Sequence, residues 1–94
     1  MAVKTLQITQ TGSAVQFATV PTFARWVALQ NTGGAAATVG DVNVSAGRGI
    51  LLAATTGQLL LPALAIGSDH YDLSQFYTVG TNTQVLSVTY DSMN

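Results

Sequence analysis

The sequence predicts an all-β domain: an antiparallel β-sandwich, jelly-roll-like in its connections, of about eight short strands. Three observations carry that prediction. Glycine punctuates the chain at Gly12, Gly33, Gly34, Gly40, Gly47, Gly49, Gly57, Gly67 and Gly80, with Pro21 in the one wide gap. Turn signals at this spacing leave room only for short elements. Between them the side chains alternate apolar and polar with a period of two, the pattern of a half-buried strand. A period near 3.6, which a helix would need, does not recur.

The elements follow in order. Residues Lys4 to Thr9 put Leu6 and Ile8 on one face, and Ala14 to Ala18 do the same with Val15 and Phe17. With Thr11-Gly12-Ser13 between them, the pair reads as a hairpin. Arg25 to Asn31 turns Val27 and Leu29 inward. Ala36 to Gly40 and Asp41 to Ser45 read as a weaker pair around a Gly40-Asp41 turn. Ile50 to Ala53 and Gln58 to Leu61 are apolar on both faces, as expected of strands inside a sandwich or against a neighbour. A strand from Leu73 or Ser74 to Val79 has Tyr77 and Val79 on one face and Phe76 on the other. Gln84 to Tyr90 turns Leu86, Val88 and Tyr90 inward and leaves Ser87 and Thr89 outside.

Size and charge bound the function. Ninety-four residues make one domain, residues 1–94, too small to hide all of an apolar content of 48%. Part of that content is expected to face a partner. Charged residues are only 7%, against about 25% in an average soluble protein, and Glu is absent. The cations are Lys4, Arg25 and Arg48, which form no basic stripe able to neutralise phosphates, so nucleic-acid binding is not expected. Without Cys there is neither a disulfide framework nor a thiolate metal site. Met1 to Gln10 lacks the continuous apolar core of a secretory signal, so synthesis in the cytoplasm is the expectation. Residues Ile50 to Gly67 approach a membrane span in apolarity, but Thr55-Thr56-Gly57-Gln58 and Pro62 interrupt them. No membrane partner is expected.

Several segments resemble a group of small tailed-bacteriophage virion proteins. These are Trp26-Val27-Ala28-Leu29-Gln30-Asn31-Thr32-Gly33 followed by Val39-Gly40-Asp41, then Gly49-Ile50-Leu51-Leu52 and Leu60-Leu61-Pro62. Asp72-Leu73-Ser74-Gln75-Phe76-Tyr77-Thr78-Val79-Gly80-Thr81 and Val85-Leu86-Ser87-Val88-Thr89-Tyr90 complete the order. The resemblance covers residues 25 to 90, and the longer connection from Leu64 to Tyr71 departs from it. It implies a β-sandwich, usually a homotrimer, that attaches to capsid or tail. No catalytic motif or cofactor comes with it.

Nucleophile, base and carboxylate types gather only at Ser68-Asp69-His70-Tyr71-Asp72, which holds the single histidine. Catalysis needs such groups oriented by a scaffold, with partners distant in sequence, and a metal needs three or four convergent ligands. Local adjacency supplies neither, so the segment reads as a polar turn and the chain as no enzyme. Gly47-Arg48-Gly49 lacks the continuation of a phosphate loop and reads as a turn whose Arg48 can reach a partner carboxylate.

The candidate site is therefore an interface. Trp26 lies opposite Val27 and Leu29 on its strand, and Phe76 opposite Tyr77 and Val79, so both aromatics are expected to point away from the core. Together with Leu51 or Leu60 they are the candidate oligomer contact, since aromatic anchors in an uncharged surround typify interface centres. What the resemblance implies for function is capsid decoration: a cement protein, located in the virion at the capsid surface and made in the host cytoplasm, binding copies of itself and the major capsid protein. Two alternatives stand beside it. One is a tail, baseplate or fibre component; the other is a carbohydrate-binding module using Trp26, Gln30 and Asn31.

Overall fold

The structure is a computed structural model that describes residues 2–63 and 70–93. It is all-β, and the described residues form nine strands in two antiparallel sheets. These are β1 (Ala2–Thr9), β2 (Val15–Gln16), β3 (Phe23–Asn31), β4 (Ala37–Gly40), β5 (Ile50–Leu52), β6 (Gln58–Leu61), β7 (Tyr71–Asp72), β8 (Tyr77–Gly80) and β9 (Val85–Ser92). One sheet runs β1-β9-β3-β6, with β7 also paired to β3; the other runs β2-β8-β4-β5. No helix among the described residues is long and apolar enough to cross a membrane.

The core forms where the inward rows of the two sheets meet. Ile8, Val27, Leu29, Leu86, Val88 and Tyr90 come from the first sheet, and Val39 and Leu52 from the second, with Phe17, Ala24 and Leu73 closing the cluster. Each is an alternate residue of its strand or a loop residue folded onto the same layer. Burying a side chain of this size stabilises the fold by about 1.5–3 kcal/mol. The alternation along β9 and along β3 from Val27 to Asn31, buried at every second position, is the sequence pattern made physical.

Three sequence expectations are corrected. β1 and β2 do not form a hairpin: β1 pairs with β9 in one sheet and β2 with β8 in the other. Alternation places Ile8 and Phe17 in a shared core but does not distinguish neighbours within a sheet from strands facing across a sandwich. Likewise, β4 pairs with β5 rather than with Asp41 to Ser45. There the Asp41 carboxylate accepts from the Asn43 N–H at 2.9 Å and its carbonyl from the Val44 N–H at 3.0 Å, so the chain curls into a local turn. Finally, Leu73–Gln75 is a turn of 3₁₀ helix, and the strand begins only at Tyr77. Asp72 is the cap that diverts the backbone, its Oδ1 accepting from the Ser74 N–H at 3.0 Å.

Candidate interaction surfaces

The five interface candidates are distributed over different faces. Trp26 sits in a β-bulge. Ala24 is opposite Ser92 and Val27 opposite Tyr90, so Arg25 and Trp26 together face the single residue Asp91. Ala24 and Val27 are buried, and the two residues between them are partly exposed off the core side. Within the bulge Arg25 Nε lies 3.9 Å from Asp91 Oδ2.

Leu60 on β6 stands 62% exposed. It pairs with Ala28, which pairs with Thr89, which pairs with Thr5. Leu60 and Trp26 therefore share the outer face of the first sheet. Leu51, 66% exposed, belongs to the outer face of the other sheet, in one row with Thr38 and Val79. Arg48 lies in the exposed loop between β4 and β5, in a tight turn where the Arg48 N–H donates to the Ser45 carbonyl at 3.0 Å. That loop leans on the second sheet through Thr38 Oγ1, which donates to the Ala46 carbonyl at 3.4 Å.

Phe76 does not point away from the core. It packs against the buried cluster, its ring centroid 5.7 Å from Phe17 and 6.3 Å from Tyr71. The strand parity that turned it outward fails because Phe76 closes the 3₁₀ turn instead of lying in β8. Its remaining exposed edge lines an apolar groove of about 270 Å³ between the two sheets, walled by Val39, Ile50, Leu59, Leu61 and Tyr71. Ile50 is half exposed there although its register partner Val39 is buried. Sequence reasoning missed this flank, but its signal was present in β5 and β6, apolar on both faces.

The outer face of the first sheet carries a shallow trough of mixed polarity, where Gln30, Gln58, Ser87 and Thr89 alternate with Ala28 and Leu60. Gln58 Nε2 donates to Gln30 Oε1 at 2.7 Å, and Gln30 Nε2 donates to the Thr55 carbonyl at 3.0 Å, so both amides are oriented. Asn31, cast with them as a sugar ligand, is fully buried and directs its amide inward to the carbonyls of Ala35, Leu52 and Ala53.

Of the polar turn, the structure describes His70, Tyr71 and Asp72. Ser68 and Asp69 lie outside the described residues. His70 is exposed and stacks edge-on with Phe23, ring centroids 4.6 Å apart. Asp72 works as a cap: Oδ1 accepts from the Thr22 N–H at 3.1 Å, the Ser74 N–H at 3.0 Å and the Ser74 hydroxyl at 2.8 Å. Desolvation pushes its pKa up, but those hydrogen bonds, with a smaller contribution from His70, outweigh it and hold the carboxyl below its ordinary value. No group of three or more His, Cys, Asp or Glu able to hold a metal occurs among the described residues. Compared with known proteins, the chain matches no family model, no curated protein and no solved structure.

Proposed function

We propose that this chain is a non-catalytic virion structural protein, a capsid decoration or cement subunit that binds copies of itself and the major capsid protein. The observation that carries the reading is exposure without charge. Val3, Val20, Val42, Ile50, Leu51 and Leu60 all stand more than half exposed on a chain whose charged residues are only 7%. They occur on both sheets and in two loops, so no single contact covers them. A subunit clasped by several neighbours in a shell is the setting such a surface fits.

Attachment then works by binding alone. Once one copy of a self-assembled unit docks, the others are held at high effective concentration over equivalent shell sites, and individually weak contacts become durable. Cryo-electron microscopy of particles that carry the chain is the test. Density at the symmetry axes of the capsid is the expected result; density confined to the tail would sink the capsid reading in favour of a tail, baseplate or fibre part.

The trough favours one second reading, a carbohydrate-binding module. Oriented Gln30 and Gln58 amides, with Trp26 on the same face, are groups that bind neutral sugars. Saturable binding on a glycan array, lost in Trp26→Ala, would promote it over attachment by protein contacts.

A further inference from the structure

β1 is a long strand at the edge of the first sheet as formed by the described residues. Among the described residues it pairs with β9 alone, in unbroken register from Ala2 opposite Ser92 to Thr9 opposite Val85. Ala2, Val3, Lys4, Thr5, Gln7 and Thr9 are all exposed. Proteins usually blunt such an edge with a bulge, a proline, charged side chains such as lysine or a covering loop. β1 has no bulge, no proline and only Lys4.

Which backbone groups face outward follows from parity. The Gln10 N–H donates to the Gln84 carbonyl at 2.9 Å, one position beyond the end of the β1–β9 ladder. In an antiparallel pair, bonded and non-bonded positions alternate, so Ala2, Lys4, Leu6 and Ile8 turn their N–H and C=O groups toward β9. Val3, Thr5, Gln7 and Thr9 turn theirs to the open side.

We infer that this edge pairs antiparallel with the same edge of a second copy, across a two-fold axis at Leu6. Three constraints select that register. Opposed residues must both be odd-numbered to exchange hydrogen bonds, which also keeps the core-facing sides of the two sheets continuous. Centred on Leu6, the pairs are Val3 with Thr9 and Thr5 with Gln7, each twice, giving about eight backbone hydrogen bonds and using every outward group. Counted over the described residues of β1, centring on Thr5 or on Gln7 gives about six.

Charge decides in the same direction. With the axis at Leu6 the two Lys4 residues lie roughly 14 Å apart, beyond the screening length at physiological salt; with the axis at Thr5 they lie roughly 8 Å apart. The result is a sheet continuous through both subunits, β6-β3-β9-β1 meeting its own mirror order. Two copies close the edge, and this takes the place of the three-fold assembly that the resemblance implies. The inference stands apart from the virion reading, because it rests on the backbone groups of β1 and the position of Lys4.

The chain has no cysteine, so a single introduced one reports the register. Leu6→Cys places two thiols at a directly opposed, non-hydrogen-bonded position, within reach of a disulfide. Under a mild oxidant it is expected to give covalent dimer at low micromolar concentration, and Lys4→Cys is expected to give little. Sedimentation of the unmodified chain should give a dimer mass. Thr5→Pro removes an outward N–H and leaves the β9 ladder intact, so it should keep its circular-dichroism spectrum and weaken the dimer by about tenfold or more. A monomer mass for the unmodified chain, equal cross-linking at positions 4 and 6, or a folded Thr5→Pro that dimerises undiminished would each overturn the inference.

Discussion

Asn31 and Gln10 are both completely buried at one end of the first sheet, yet their surroundings treat them in opposite ways. Asn31 stands level with Ile8 through their common partner Leu86, and Gln10 lies two positions further along. Around Asn31 every amide atom is used. Nδ2 donates to the carbonyls of Ala35, Leu52 and Ala53 at 2.9, 3.1 and 3.2 Å, and Oδ1 accepts from the Gly33 N–H at 3.0 Å. One side chain thereby ties the end of β3 to the following loop and to the end of β5 in the opposite sheet. Around Gln10 neither Oε1 nor Nε2 has a hydrogen-bond partner among the described residues. Its amide lies against Gly80, where a Cβ would overlap it. Burial of an amide therefore does not by itself signal a structural role; the partners decide its sign.

The largest expected effect comes from removing the satisfied amide. Asn31→Leu puts a larger, apolar branch in place of the amide and removes a partner from three carbonyls and the Gly33 N–H, of which the Ala53 carbonyl keeps the Gly57 N–H at 3.0 Å. We expect a loss of about 3 kcal/mol or more in denaturant unfolding, large for a single side chain. A loss under about 1 kcal/mol would mean that the corner is held by its backbone bonds instead, such as Thr55 N–H to the Gly33 carbonyl at 2.9 Å.

Next in size is the contact between Gly80 and Gln10. Gly80→Ala drives a methyl group into the Gln10 carboxamide, which is enclosed and has little room to swing away. The expected cost is about 2 kcal/mol, the usual scale of overpacking. In a Gln10→Ala background most of that cost should vanish. A double-mutant cycle measures the relief directly, and strict additivity would show that the strain lies elsewhere.

These two positions also explain what the sequence disclosed and what it hid. Alternation along Arg25 to Asn31 turned Val27 and Leu29 inward, and the same parity carries Asn31 inward with them. Its polarity drew it instead toward a surface role as a sugar ligand. Gln10 shares the parity of Leu6 and Ile8 in the same way. Strands and core residues were legible because burial follows a period of two. Assignment of strands to sheets was not, because Ile8 and Phe17 reach one core from opposite layers. Trp26 and Phe76 mark two further limits. A bulge at Arg25 and Trp26 and a capped turn at Asp72 each interrupt parity, and both depend on distant partners, Asp91 in one case and Thr22 in the other.

A smaller effect, of opposite sign, is expected from the unsatisfied amide. Gln10→Leu retains the backbone bonds of that position, which use only its N–H and carbonyl, to Gln84 and from Thr83. It replaces two unpartnered polar atoms with apolar ones of similar size. Stability should rise by about 1 kcal/mol in the same denaturant measurement. A fall would overturn the contrast with Asn31, since it would mean that the Gln10 amide makes favourable interactions in the folded state.

The smallest effect tests whether the contrast extends to a charged group at the surface. Asp72, like Asn31, gathers several hydrogen bonds, from Thr22 and twice from Ser74, but it does so in contact with solvent. Desolvation opposes ionisation there and the hydrogen bonds favour it; the hydrogen bonds prevail, so the folded carboxyl titrates below its ordinary value of 3.8. A carboxyl depressed in the folded state contributes stability that is fully present above its unfolded pKa and is lost as pH falls through the folded one. Asp72→Asn should accordingly lose a little stability at neutral pH and show a shallower decline than the parent once the pH drops below about 4. Thermal unfolding of the two proteins at matched pH values reads that difference. Parallel curves throughout the acid range would mean that the Asp72 cap acts through its geometry alone, without the charge that distinguishes it from an amide.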